Sequence, residues 1–312
     1  MSLSKLRPDA KIFVLVVGPT GAGKSAAAMS LAERLDGEIV NCDSMQVYRG
    51  FDIGTDKPPA EDRRRVPHHL LDIIDSRTQF TAADFAARAV EAIGAIRARG
   101  RRPFVVGGTG LYVKALVDGL FPGPGRNDAV REALEREARE LGFEALWSRL
   151  READPAYGAK VGVRDRVRIV RALEVIALTG RPMSENFRGT RSLIADFRIL
   201  KIGLDWDRAE LYRRIEARVD RMFERGWVEE VAGLLASGVD ESAPAFRALG
   251  YEHVLRHLKG EIGRDEAAAR TKIDTRHYAK RQLTWFRKMD GLRWFRPDDL
   301  DAIRAFIEAE WN

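Results

Sequence analysis

The chain holds a single cysteine, Cys42, among 312 residues. That excludes a disulfide framework and a cysteine-rich zinc site. No apolar run approaches the ~18–20 residues needed to cross a bilayer, so no membrane association is expected. The first ten residues, MSLSKLRPDA, carry charges but no apolar stretch leading to a cleavage site. No secretory leader is read there, and a cytoplasmic location is expected. Internal repeats and low-complexity tracts are missing too, which sets aside solenoids and tails. Charge of neither sign is scarce: 53 Lys and Arg stand against 47 Asp and Glu, a net of +6. That mild excess suggests a polyanionic partner. With 45% hydrophobic and 32% charged residues, the composition is that of a globular protein.

Residues 12–17 (IFVLVV) are continuously apolar, as a parallel strand buried on both faces requires. A helix is read from Lys24 to about Leu35, a strand at 38–40, and irregular chain over 52–80. Thr81 precedes an amphipathic helix, and Phe104–Val106 is a third strand closed by Gly107 and Gly108. This alternation predicts an α/β fold with a parallel sheet. After FPGPGRND (121–128) strand signals fade and helical charge spacing takes over. A helical insertion is therefore expected over 123–195, with the core formed by 1–122 and 196–312. A strand at 197–204, a long helix over 208–236, another over 264–290 and a short terminal helix complete the reading.

Residues 18–25, Gly18-Pro19-Thr20-Gly21-Ala22-Gly23-Lys24-Ser25, fit G-x-x-x-x-G-K-[ST] between a strand and a helix. Glycines let successive backbone N–H groups close around an anion at a helix N-terminus. Lys24 adds a point charge, and the Ser25 hydroxyl suits Mg²⁺ bridging two phosphates. The motif predicts a P-loop NTPase-like core without saying which phosphate compound is held. The strand ending in Gly107-Gly108-Thr109 lacks the acid that usually closes a later strand in NTPases. The acid follows the second strand instead, at Asp43, where an α/β sheet faces its ligand. Cys42 is read as a small buried residue. His68 and His69 are read as hydrogen-bonding loop residues, since adjacent rings diverge and suit a metal poorly.

Six blocks stand in order: GPTGAGKS, CDSMQVYRGFDIGTDKP (42–58), VPHHLLDI (66–73), VGGTGLYVKAL (106–116), RDRVRIVRALEV (164–175) and YAKRQLTWFR (278–287). Together they closely resemble the tRNA dimethylallyltransferases, or tRNA isopentenyltransferases, over nearly the whole chain. The bacterial form without a zinc finger fits the lone cysteine. The resemblance implies transfer of the dimethylallyl group from dimethylallyl diphosphate to the N6 amine of the adenosine immediately 3′ of the tRNA anticodon, by a monomer using Mg²⁺. The phosphate loop would then hold the diphosphate leaving group. Asp43 would be the base that orients the amine and takes its proton. Thr109 would lie near the scissile oxygen, and Arg131 and Arg218 would contact substrate.

The resemblance also assigns tRNA contacts. These are Asp43-Ser44-Met45-Gln46, with Gln46 reading adenine through its amide; Val167-Arg168-Ile169-Val170-Arg171; Arg247-Ala248-Leu249-Gly250-Tyr251; and Lys280-Arg281-Gln282-Leu283-Thr284-Trp285-Phe286-Arg287 of the anticodon stem-loop block. The family's Pro-Asn-Asp is here Val163-Arg164-Asp165. Between 270 and 296, nine Lys or Arg face two acids with five interleaved aromatics, a pattern suited to phosphate contact and base stacking. Arg214, Arg218, Arg221 and Arg225 share a helix face. All but Arg218 are read as solvated. Three alternatives stay open: a small-molecule kinase using ATP, an isopentenyltransferase for free adenine nucleotides, and a non-catalytic RNA-binding protein. Nucleotide turnover separates the first. The helical insertion and basic C-terminal third argue against the second, and intact Lys24, Asp43 and Thr109 against the third.

Overall fold

The computed structural model describes residues 11–121 and 123–311. The N-terminal segment discussed above lies outside them, as does Pro122. In chain order the elements are β1 (Ile12–Val17), α1 (Lys24–Arg34), β2 (Gly37–Asn41), α2 (Ala60–Arg65), β3 (His68–His69), α3 (Ala82–Ala98), β4 (Arg102–Val106) and α4 (Gly110–Val117). Five helices follow: α5 (Asp128–Leu141), α6 (Phe143–Ala153), α7 (Pro155–Gly158), α8 (Arg166–Thr179) and α9 (Met183–Asn186). The chain returns through β5 (Arg198–Leu204), α10 (Arg208–Glu224), α11 (Trp227–Ala236), α12 (Tyr251–Leu258), α13 (Arg264–Phe286), β6 (Arg293–Phe295) and α14 (Leu300–Trp311).

The six strands form one sheet in the order β3-β2-β4-β1-β5-β6, every neighbouring pair parallel. The predicted α/β class is therefore the observed one. Because β1 lies mid-sheet, its six residues are buried on both faces, which is why its sequence is unbroken by polar residues. Parallel strands also bring the carboxyl ends of β1, β2, β4 and β5 to one edge. The phosphate loop, Asp43, Thr109 and Asp205 all follow those ends. Thr81 caps α3 reciprocally with Asp84, as its sequence position predicts.

Two readings are corrected. The expected single helix over 208–236 is two, because Gly226 at φ 92° breaks it between α10 and α11. The stretch 52–80 is not wholly irregular, since α2 and the two-residue β3 lie within it. His69 hydrogen-bonds Glu38 at 2.6 Å on the neighbouring strand. Helix α12 and strand β6 have too few residues for a clear period and were not foreseen.

Two compact units result, one made of residues up to Val117 and from Leu193, the other of Asp118–Ser192. The helical stretch was expected to begin at 123 and end at 195. The second unit, α5 to α9, has its own apolar cluster, in which Leu134, Leu146, Leu150, Ile169 and Leu173 are buried. On the same helix as Leu173, the fully buried Glu174 accepts from Asn127 N at 2.8 Å, from Arg131 Nε at 2.8 Å and Nη2 at 3.0 Å, and from Arg171 Nη1 at 2.6 Å. Burial alone would raise its pKa. The bonds from Arg131, Asn127 and Arg171 outweigh that and bring it down to about 2.

Candidate active site

Local sequence builds the phosphate loop. Gly21 and Gly23 take φ values of 82° and 85°, open to glycine at no cost. A Cβ on Gly21 would also meet Ile215 Cγ1 at 2.8 Å. The loop thus lies directly against α10, and that contact brings the arginine face of α10 to it. Lys24, at the start of α1, donates to the Pro19 carbonyl at 2.8 Å. Burial, then the charge of Arg218, pushes its ammonium down to about 8. Arg218 donates through Nη1 to Thr20 Oγ1, and its Nε lies 3.0 Å from Asp56 Oδ2.

A cavity of about 450 Å³ opens above this loop. It is lined by Thr20, Gly21, Gly23, Lys24 and Ser25 of the phosphate loop, by Asn41, Asp43, Gly107 and Gly108 at the strand ends, and by Arg213, Arg214, Arg218 and Arg221 of α10. Arg214 and Arg221, read from sequence as solvated, thus face the phosphate loop. The helix face was legible, but which surface it meets was not. Arg214 is held there by Glu210 at 2.8 Å and by the Trp206 ring 4.3 Å away.

A second cavity of about 320 Å³ shares Thr20, Asp43, Arg218 and Tyr278 with the first. Its remaining lining mixes apolar Met45, Val219, Met222, Trp227 and Leu249 with Thr271, Thr275, Arg247 and Arg281. Here three sequence blocks, at 43–45, 247–249 and 278–281, converge from a span of more than 200 residues. Asp43 is positioned by its own turn, Oδ1 accepting from Met45 N at 2.8 Å. Ser44 N donates to Thr109 Oγ1 at 3.0 Å, tying the segment after β2 to the loop after β4. Gly107 permits this closeness, since a Cβ there would sit 2.0 Å from the Cys42 carbonyl oxygen. Cys42 is fully buried, and burial pushes its thiol well up, so it carries no nucleophilic chemistry. Tyr278 was counted only as one of several aromatics. It stands between the two cavities, and burial, then the Asp43 charge, raises its hydroxyl to about 12.

Several assigned RNA contacts point elsewhere. Phe286 is fully buried and Gln282 nearly so. The Gln282 amide bonds Thr20 N and Gly108 O, and Leu283 packs on the Leu211–Ile215 cluster. In the same block Lys280, Arg281, Thr284, Trp285 and Arg287 remain exposed. Ile169 and Val170 belong to the core of the helical unit, whereas Val167 is 79% exposed and Arg168 lies beside it at the surface. Arg171 is turned towards Glu174 and the Pro124 carbonyl. Tyr251 is fully buried and donates to Glu230 Oε1 at 2.8 Å. Ala248 and Gly250 are buried, and a Cβ on Gly250 would strike the Trp227 ring. Of that block Arg247, Ala248 and Leu249 line the second cavity. The Gln46 amide nitrogen already donates to Thr55 O at 3.0 Å and Asp56 O at 3.3 Å, so it is not free for bidentate reading of adenine. Arg131 is held in both directions by Glu174.

The basic tract is also less bare than its count. Lys272 pairs with Asp220 and Arg276 with Glu216, both acids on α10.

A family model described as IPP transferase matches residues 46–289. The chain belongs to the IPP transferase family. Its curated relatives include a tRNA dimethylallyltransferase of Geobacter metallireducens, 52% identical over 295 residues, covering 94% of this chain and 96% of the relative. The corresponding Geobacter sulfurreducens protein is 50% identical over 291 residues, covering 93% and 94%. Among solved structures, the full-length tRNA isopentenylpyrophosphate transferase of Bacillus halodurans matches with a TM-score of 0.71 at 39% identity, covering 97% of both chains. A eukaryotic dimethylallyltransferase acting on tRNA matches with a TM-score of 0.77 at 28% identity, covering 97% of this chain and 78% of that one. The IPP transferase fold thus accounts for both units, and among the described residues no helix is long and apolar enough to cross a membrane.

Proposed function

We propose that this IPP transferase moves the dimethylallyl group from dimethylallyl diphosphate to N6 of the adenosine immediately 3′ of the tRNA anticodon, releasing diphosphate. The observation that carries the reading is the shared wall of the two cavities. One side is a cationic phosphate cradle and the other an apolar and hydroxyl-lined chamber reached by three RNA-matching blocks, with Asp43 on the partition.

The backbone of residues 18–25, Lys24 and Arg218 bind the diphosphate, and Arg214 and Arg221 add positive charge from α10. The adenine amine is a poor nucleophile because its lone pair is delocalised. Asp43 Oδ1 is occupied by Met45 N, which leaves Oδ2 to accept from the amine and orient it. As the C–O bond breaks, its electron pair departs on the diphosphate. The N6 lone pair forms the new C–N bond, and the displaced proton passes to Asp43. Thr109 Oγ1 accepts from Ser44 N, and its own hydroxyl, within reach of Ser44 Oγ at 3.4 Å and of the Tyr278 hydroxyl, can turn from them to donate to the departing oxygen. The Ser25 hydroxyl lines the polar cavity over the phosphate loop and would hold Mg²⁺ there as a hard oxygen donor, with Asp43 left to the amine. Bound there, Mg²⁺ supplies neutralisation of the leaving group's charge.

RNA is assigned to the exposed side of α13 (Lys280, Arg281, Thr284, Trp285 and Arg287), to Arg247, and to Val167 and Arg168 of the helical unit. Arg131 is assigned to substrate contact through the N–H groups that Glu174 leaves unused. Pulling the adenosine from its loop stack costs a few kcal/mol, least in single-stranded RNA. The test is incubation with labelled dimethylallyl diphosphate and unmodified tRNA, followed by nucleoside analysis. Label in N6-modified adenosine supports the reading. Phosphoryl transfer from ATP, with dimethylallyl diphosphate left untouched, overturns it in favour of a kinase.

A further inference from the structure

Tyr278, Gln282 and Trp285 stand at i, i+4 and i+7 on α13, so they form one stripe. That stripe meets the loops after β1 and β4. A Cβ on Gly110 would lie 2.7 Å from Trp285 Nε1, and one on Gly108 2.2 Å from Gln282 Nε2. Gln282 is 6% exposed, and both ends of its amide are used. Oε1 accepts from Thr20 N at 2.8 Å, and Nε2 donates to Gly108 O at 2.8 Å. One side chain therefore spans the phosphate loop and the loop that carries Thr109. Thr20 in turn receives Arg218 on its hydroxyl. Two loops that act on one diphosphate must keep a fixed separation, because errors near an ångström cost large factors in rate. No backbone bond among the described residues does this between Thr20 and Gly108.

We propose that Gln282 is a positioning residue for the prenyl diphosphate, holding the phosphate loop and the Gly108–Thr109 turn in register, and that it makes no contact with RNA. This rests on the function proposed above and reassigns a residue of the block expected to meet the anticodon stem-loop. Its neighbours Arg281 and Thr284 are exposed and keep the RNA-facing role, so one turn of helix serves both substrates.

The test uses the full chain and binding as well as turnover. Gln282→Leu removes both hydrogen bonds and leaves two polar backbone groups unpaired. Affinity for inorganic diphosphate, measured by calorimetry, should fall about tenfold or more. Affinity for an anticodon stem-loop should stay within about twofold, since no RNA contact is lost. Gln282→Glu is nearly isosteric and keeps the acceptor for Thr20. It donates to Gly108 O only while protonated, and burial raises its pKa. Its kcat/KM for prenyl diphosphate, relative to the unaltered chain, should therefore recover as the pH is lowered from about 8 to about 6. Unchanged diphosphate affinity in Gln282→Leu, lost RNA affinity with diphosphate binding intact, or a Gln282→Glu profile parallel to the parent would each overturn the proposal. Failure of the functional reading shows differently, as an unaltered chain that binds both ligands and transfers nothing.

Discussion

Lys24 gives the site a pH dependence whose sign follows from its surroundings. Without ligand its ammonium is brought down from 10.5 to about 8 by burial and the nearby Arg218, against the pull of Asp43. Raising the pH from about 7 to about 9 then carries it from about nine-tenths to about one-tenth charged. If the diphosphate requires the ammonium, affinity for a non-reactive organic diphosphate falls about tenfold over that range. The bound anion restores the charge, so binding at pH 8 takes up about half a proton. Calorimetry at pH 8 in two buffers of different ionisation enthalpy measures the uptake directly. Arg218→Gln removes the repelling cation, lifts the Lys24 pKa and should reduce the uptake even as affinity drops. Zero uptake, proton release, or pH-independent affinity up to pH 9 would refute the reasoning. Stability without ligand runs the opposite way. The unfolded chain binds this proton up to about 10.5 and the native chain only to about 8, so the Lys24 contribution to stability rises with pH between those values.

Other outcomes follow from the same geometry. Asp43→Ala should lower turnover about 10²–10⁴-fold, the loss expected for a missing general base, while filter binding shows tRNA affinity nearly intact. Tyr251→Phe removes one bond to Glu230, which keeps three from backbone N–H groups. Urea unfolding should show a loss of about 1 kcal/mol with stem-loop affinity unchanged. Glu174 is depressed to about 2, so its stabilisation is present above the unfolded value of 4.5 and is lost as the pH falls from there towards 2. Glu174→Gln should lower stability by about 3 kcal/mol at neutral pH, because Arg131 and Arg171 lose their shared anion, and should flatten the acid limb of a pH–stability curve.

What could be read from the sequence was local. Glycine spacing and a lysine specified the phosphate loop because a few consecutive residues build it. Asp43 was found because its place after β2 follows from strand polarity. What escaped depended on facing. The block 280–287 resembles an RNA-contact segment, but resemblance carries no helical phase, and 100° of rotation separates exposed Arg281 from buried Gln282. The α10 arginines were seen as one stripe, yet only the packing of Ile215 under Gly21 shows that the stripe meets the phosphate cavity. The charge excess of 270–296 was counted along one helix, while Glu216 and Asp220 answer it from another. Gly226 was overlooked because a single glycine inside a periodic pattern resembles a tolerated defect until its φ is known.

The carboxylate of Glu230 has a consequence for the order of assembly. It gathers Asp52 N, Ile53 N and Gly54 N, residues 176–178 positions earlier, together with the Tyr251 hydroxyl. Gly54 lies against the Trp227 indole, where a Cβ would come within 2.1 Å of Nε1. The turn that presents Thr55 and Asp56 to the cavities is therefore shaped by an anion made much later in synthesis. Contacts this remote in sequence close late in folding. Strands β1 to β5 can pair before α11 is made, but the acceptor chamber, the Gln282 clasp on the phosphate loop and β6 all wait for chain at or beyond it, so a ribosome-bound chain lacking α11 has the loop sequence but neither a finished place for the nucleoside nor a fixed one for the diphosphate.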